Sequence, residues 1–340
     1  MTKNSFFFAS VKPGLTIIFC LFASAAFSQL LPTYGDSRTA TTGWQFLKVA
    51  PDARASGLSE TMLAVTDDMS SLYWNAAGLT KLDTNRWHTM VAHTTYPAEV
   101  FQYFGGLTWR MNENTLFGGA IQYFDGGEMP VTTEFLPEGN GQTFRPVNMA
   151  ASLSWAQVLT DAFSFGLTLK YVQEDLASVS NQNLLFDLGF QYDIGLSNTR
   201  FAVGLSNFGF NTTPSGEIET FSITDTNSTI RFEEVGVPTV FRLGFAWDAV
   251  KNERHLLTAA AQLNHPTDNN ETYSLGLEYG WKQLLFARTG YVFATDLSAW
   301  PSFGFGVQLN RRFGLIKLDY GFIVLPGLGP VNRISFQLGI

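Results

Sequence analysis

From Trp87 to Ile340 the chain is a succession of short stretches in which apolar side chains alternate with small or polar ones. Phe163, Phe165, Leu167, Leu169 and Tyr171 alternate with Ser164, Gly166, Thr168, Lys170 and Val172. Leu184, Phe186, Leu188, Phe190 and Tyr192 alternate with Leu185, Asp187, Gly189, Gln191 and Asp193. Successive side chains leave opposite faces of a pleated strand, so a period of two predicts strands. One face is aliphatic and aromatic. The other carries Gly, Ser, Thr and isolated charges, too polar for a sandwich core. An apolar outside around a polar inside is what a closed barrel in lipid requires. A soluble antiparallel barrel would instead turn its apolar face inward.

The alternation places strands near 87–96, 99–111, 114–124, 147–157, 162–173, 184–193, 200–208, 239–248, 255–264, 271–280, 284–293, 302–310, 312–324 and 331–340. Fourteen is an even number, as single-chain bacterial barrels have. Tight connections follow the second, fourth, tenth and twelfth strands, at Asn112-Glu113, Leu159-Thr160, Trp281-Lys282 and Arg311. Long ones run 125–146 and 209–238, with others at 174–183, 265–270, 294–301 and 325–330. Short turns on one rim and long loops on the other match the periplasmic and extracellular ends of such barrels. Pro97-Ala98 is a short exception on the outer rim. Tyr and Trp near strand ends suit interfacial girdles. The chain ends inside a strand, at Ile334, Phe336, Leu338 and Ile340, free to pair with the first strand.

Composition fits an all-β transmembrane antiparallel β-barrel. Only 15% of residues are charged while 15% are aromatic, against about a quarter charged in soluble proteins. No apolar run of helix-spanning length follows the first thirty positions. Residues 1–28 read as a cleaved signal peptide: Lys3 and Lys12, then apolar Leu15 to Phe22, then Ser24-Ala25-Ala26-Phe27-Ser28. Cys20 lies inside that segment, so the exported chain has no cysteine chemistry. The chain is acidic, net −8, which excludes nucleic acid as a partner class. These features divide the chain into a signal peptide (1–28), an N-terminal periplasmic or plug segment (29–85) and a barrel (86–340), located in the outer membrane.

Residues 43–82 break the alternation, with acidic and small residues interspersed. Such a stretch at the barrel mouth is expected to fold back as a plug. If the aromatic faces point outward, Arg110, Lys170, Asp187, Arg242, Glu278, Arg288, Lys317, Asp319 and Arg333 point inward. Asp52, Arg54, Glu60, Asp67 and Asp68 are then candidate partners, since a buried charge needs one.

The run FLKVAPDARASGLSE followed by AVTDDMSSLYWNAAGL resembles the N-terminal signature of the PorV/PorQ family of the type IX secretion system, within the FadL-like group of barrels. Pro51, Asp52, Arg54, Asp67, Asp68, Trp74, Asn75 and Gly78 carry the likeness; Ala76 stands where the familiar form has Pro. The resemblance implies a FadL-like barrel from a Bacteroidota outer membrane. Its function would be to bind signal domains of secreted cargo, or translocon and attachment partners. The alternative is a FadL-like channel moving hydrophobic small molecules through the wall.

Gly105, Gly106, Gly118 and Gly119 fall in adjacent strands and are a candidate wall kink; a shape device beside aromatic neighbours is the plainer reading. Met129, Phe135, Leu136, Phe144 and Phe221 are apolar residues of the long loops, candidates for partner binding or for folding over the barrel mouth. Asp67-Asp68 suits helix capping and pairing better than a calcium loop. His88, His93, His255 and His265 lack metal-ligand spacing, and no Ser-His-acid group is legible. The sequence therefore predicts no catalysis, no metal and no cofactor. Its partners are outer-membrane lipid and secretion cargo or components, or a detergent-like hydrophobic ligand.

Overall fold

In the computed structural model the described residues are 41–132, 136–195, 198–216, 232–294, 300–311 and 314–340. The expected signal peptide (1–28) and residues 29–40, like Phe135 and Phe221, lie outside them. The barrel strands are β1 (Trp87–Thr95), β2 (Phe101–Arg110), β3 (Thr115–Asp125), β4 (Val147–Thr160), β5 (Phe163–Leu176), β6 (Val179–Asp193) and β7 (Thr199–Gly209). They continue as β8 (Val240–Lys251), β9 (His255–Pro266), β10 (Thr272–Trp281), β11 (Leu285–Phe293), β12 (Ser302–Arg311), β13 (Gly314–Leu325) and β14 (Gly329–Gly339). Each pairs antiparallel with its sequence neighbours, in a 15-stranded sheet that is these fourteen plus a stub at Ser215–Gly216. β14 pairs with β1 from Asn332↔Thr95 to Gly339↔His88, and Trp87 and Ile340 exchange both backbone hydrogen bonds, so no edge remains.

The faces are inverted relative to a soluble protein. Outward Val91, Ile121, Leu153 and Phe305 are 56%, 57%, 69% and 62% exposed, while inward Gln102, Gln191, Ser274 and Glu278 are at most 3% exposed. That inversion assigns the outside to hydrocarbon. Along the rim of short turns, Trp87 pairs with Trp109, Trp109 with Phe117 and Phe117 with Trp155, a continuous aromatic row at headgroup height.

Two outer connections are tighter than their sequence suggests. The expected loop 174–183 is a turn at Ala177-Ser178, and 325–330 shrinks to a turn between Leu325 and Gly329. β5 and β6 run past the lipid, pairing Gln173↔Gln182, Glu174↔Asn181 and Asp175↔Ser180. Both faces carry polar residues there, so alternation stops signalling while the hydrogen-bonded ladder continues. The long excursion 126–146 contains a small hairpin, Met129–Pro130 against Thr143–Phe144.

Inside the barrel stand α1 (Ala53–Gly57), α2 (Ser71–Trp74) and 3-10 turns at Gln45–Lys48 and Ala76–Lys81. The hydrophobic core is the lumen's own filling. Leu58, Met62, Leu63, Met69, Leu72, Trp74 and Leu79 cluster with inward Met90, Phe104 and Leu116. Nearer the outer rim, Trp44, Phe46 and Leu47 pack with Ala150, Val172 and Leu185.

Leu153→Arg, on the lipid face of β4, is expected to destabilise the barrel by about 2–4 kcal/mol. The loss is read as a lower midpoint for conversion of the compact gel form on heating; an unchanged midpoint would contradict the inside-out assignment.

Candidate functional site

The chain packs its nonperiodic segment against the barrel from one rim to the other. At the outer rim, Thr42 bridges to Gly236, and the Trp44 amide donates to Glu174 at 3.0 Å. Buried Asp268, in the β9–β10 connection, receives Thr42 Oγ1, Gln45 Nε2 at 2.7 Å and Lys48 Nζ at 2.9 Å. Its burial opposes ionisation, but hydrogen bonds from Thr42, Gln45 and Lys48 more than offset this and hold the carboxyl below its ordinary range.

Below this latch, Asp52 begins α1. Its Oδ1 accepts the Ala55 amide at 2.8 Å, an N-cap, and its Oδ2 accepts the Trp74 indole N–H at 2.9 Å. Pro51 is buried next to it, its carbonyl facing Thr94. Gly57 meets the wall backbone directly: a β-carbon there would stand 2.8 Å from the Gly304 Cα.

Arg54 is the centre of the polar lumen. Its Nε and Nη2 fork onto Glu278 at 3.0 and 2.8 Å, while Nη1 reaches Asp67 at 2.6 Å and Asp68 at 2.8 Å. Glu278 also accepts Arg288 Nε at 2.5 Å, and Arg288 Nη1 donates to Asp319 at 2.6 Å. Bidentate charge-assisted geometry, with Glu278 shared between two guanidinium groups, is what makes such a buried cluster tolerable. Asp68 additionally receives the amide and hydroxyl of Ser70, the turn that opens α2. Beneath the network a polar vestibule of about 290 Å³, lined by Asp67, Lys81, Asp83, His88 and Lys317, faces the periplasmic rim.

The remaining signature residues tie the segment to β6 and to itself. Asn75 Oδ1 accepts the Ala77 amide at 3.1 Å, and its Nδ2 donates to the carbonyls of Leu63 and Phe190. At Gly78 a β-carbon would lie 2.5 Å from Thr66 Oγ1 and 2.6 Å from Ser71 Oγ, leaving room for hydrogen alone. Trp74 also lies under the Arg242 guanidinium, 5.5 Å from ring centroid to Cζ. At the periplasmic exit Lys81 pairs with Asp193, and Asp83 holds His88 Nε2 at 2.5 Å.

The structure thus brings Asp52, Arg54, Asp67, Asp68, Trp74, Asn75 and Gly78 into one lumen-wide set. Of the inward charges anticipated, Glu278 pairs with Arg54, Lys317 approaches Asp68 at 3.9 Å, and Arg333 donates to Ser56 at 2.9 Å. Lys170 instead pairs with Asp187 in the wall, at 2.6 Å. The four glycines of the candidate kink produce no bulge: the β2–β3 register is unbroken from Arg110↔Leu116 to Phe101↔Asp125. They thin the wall instead. Leu72 occupies the space where β-carbons on Gly106 and Gly118 would sit, at 2.6 and 2.5 Å. Outside, Gly105, Gly119 and Ala151 floor an apolar hollow of about 660 Å³ walled by Leu107, Ile121 and Leu153. Register shifts lie elsewhere: in β4–β5 between Val158 and Thr160, in β8–β9 between Asp248 and Val250, and in β6–β7 between Phe186 and Leu188, where the Asn207 amide donates to Asp187.

Of the candidate loop residues, Met129 and Leu136 are exposed and Phe144 is half-buried opposite Met129. Sequence reasoning missed Asp268, a solitary acid in an outer connection, and Glu174, which stands beside Asp175. It also missed the exposed Phe210, Trp300 and Leu328 on the outer rim.

Arg54→Ala leaves Glu278 and Asp68 buried without their counter-charge and is expected to cost about 3–5 kcal/mol. Thermal unfolding in detergent checks this, and adding Glu278→Gln should recover part of the loss. The outer latch has its own pH signature. A depressed folded pKa at Asp268 contributes stability that is present above the unfolded value, about 4, and is lost as pH falls through the folded one. Protease access to residues 41–48 should therefore be flat from pH 8 to 5 and rise below about 4. Asp268→Asn should give the high access at every pH.

The family described as "Type IX secretion system protein PorV" matches residues 33–267. A comparison with curated proteins gave no match. Among solved structures the chain is similar to the CymD monoaromatic hydrocarbon channel, at TM-score 0.59 and 13% identity over 86% of this chain and 98% of that one. It is similar to the Ralstonia pickettii toluene transporter TbuX, at 0.57 and 14% over 86% and 98%. A Pseudomonas aeruginosa FadL homologue aligns at 0.55 and 12% over 91% and 98%. These likenesses establish a FadL-like outer-membrane barrel fold. With the family match running from the luminal segment through β9, the chain belongs to the PorV family of type IX secretion system proteins.

Proposed function

We propose that this protein is a non-catalytic partner-binding barrel of type IX secretion, receiving the signal domains of secreted cargo or docking translocon and attachment components. The observation that carries the reading is the filled lumen of a PorV-family barrel: residues 44–82 pack its interior with apolar side chains and a shared ion network. As a plug, that segment leaves the outer surface as the working part. Exposed Met129, Leu136, Phe210, Trp300 and Leu328 on the long-loop rim are the apolar contacts available to a protein partner there. Deleting the protein should trap type IX substrates in the periplasm; normal release would sink the proposal. Pull-down from detergent-solubilised outer membrane should recover cargo or secretion components.

A second reading, a channel for hydrophobic small molecules, is favoured by the thinned wall. There Leu72 inside and the apolar hollow outside are separated by glycine backbone. Gly105→Leu would fill the hollow and should lower uptake of an apolar solute. Uptake at the wild-type rate would count against passage at this place.

A further inference from the structure

The periplasmic rim is charged unevenly. The turns after β8, β10 and β12 present Lys251, Arg254, Lys282 and Arg311, all exposed, with Glu253 as their one carboxylate among the described residues. Across the barrel, the turns after β2 and β4 carry Glu113 and Asp161, β6 ends at Asp193, already paired with Lys81, and Arg86 ahead of β1 is a single further exposed cation. In a chain of net charge −8, four cations gathered on one arc are not a compositional accident. Lys251 approaches Asp248 at 3.5 Å; Arg254, Lys282 and Arg311 join no ion pair among the described residues.

The depth of the arc identifies what it faces. Lys282 Nζ lies 4.8 Å from the centroid of Trp281, whose ring is outward and 39% exposed. Trp281 stands at the same rim as Trp87, Trp109 and Trp247, and outward indoles sit at the headgroup level of a bilayer. The ammonium of Lys282 is thus held at the height of lipid phosphates. Its own backbone amide donates to the Arg254 carbonyl at 2.7 Å, which fixes two of the cationic turns side by side. The Gln308 amide, donating to the Leu284 carbonyl at 2.8 Å, continues that alignment to β12, the strand that ends at Arg311.

We propose that this arc binds the phosphates of anionic phospholipids in the periplasmic leaflet, so that the β8–β13 side of the barrel carries a selected lipid annulus. A protein partner with an acidic face would need the same charges, but not the one ammonium, Lys282, hung over a lipid-facing indole. The inference is independent of the secretion role.

Native mass spectrometry of the full exported protein, released from nanodiscs of equimolar phosphatidylglycerol and phosphatidylcholine, tests it. Wild type should retain phosphatidylglycerol in excess. Each basic residue near an anionic surface gives roughly fivefold preference before salt screening. The variant Arg254→Gln/Lys282→Gln/Arg311→Gln should therefore lower the enrichment by about tenfold or more. These side chains are exposed in turns, so the variant should keep the compact gel form. Glu113→Gln/Asp161→Asn, on the opposite arc, should leave the ratio unchanged. Equal retention of both lipids by wild type would overturn the proposal, including the case in which an acidic protein co-purifies through the arc. So would an enrichment that survives the triple substitution.

Discussion

In hydrocarbon no water is present to satisfy a backbone amide, and everything else in this molecule follows from that. A strand can cross only with both neighbours in place, which forces closure between β1 and β14. Closure in lipid puts apolar side chains outside and polar ones inside. Fourteen strands then enclose more space than wall side chains alone fill, since small barrels of about eight strands are the ones their own side chains pack. The segment preceding β1 occupies that space, and it supplies the apolar core that the wall cannot.

A polar-walled lumen filled by a partly apolar segment meets a second difficulty, which is its charges. Wall residues Glu278, Arg288 and Asp319, on β10, β11 and β13, form a chain that crosses β12 at its glycines, and Arg54 completes it from the segment. Asp67 and Asp68 then balance Arg54 from the segment's own far side. Removing Arg54 or Arg288 leaves a buried carboxylate short of its counter-charge, so the network specifies one seating of the segment more than it adds net stability. The apolar contacts are less particular. Leu72 against bare glycine backbone and Gly57 against Gly304 show how closely the two surfaces approach.

Much of this was legible beforehand, and the limits are physical. Strand period, outward face and strand order follow from side-chain alternation within the lipid, where one face must be apolar. β5 and β6 outrun their alternation because beyond the lipid the outward face no longer has to be apolar. The signature from Pro51 to Gly78 marked the segment, yet Arg54 and Glu278 are 224 positions apart, and no local pattern encodes such a pair. Inward charges could be enumerated from alternation but not matched: Lys170 chose Asp187 across the wall, whereas Glu278 chose Arg54 from the lumen. The glycine pairs of β2 and β3 suit either a bend or a shape device; their register is unbroken, and the wall is thin there. Glycine permits both, and what decides is the neighbour that fills the gap, here Leu72. Asp268 gave no sign at all, since a solitary acid in a loop looks like any solvated residue.

The direction in which the segment runs constrains how the molecule is made. Thr42 lies beside the outer connections and Trp87 begins β1 at the periplasmic rim, so the chain descends the whole height of the barrel before its first strand. A barrel that closed first would have to draw its own leading end through a finished lumen, past the partners of Arg54. Wrapping the sheet around a segment already in place avoids that threading. With β14 paired to β1, residues 42–82 are enclosed by a wall that has no open seam beside them.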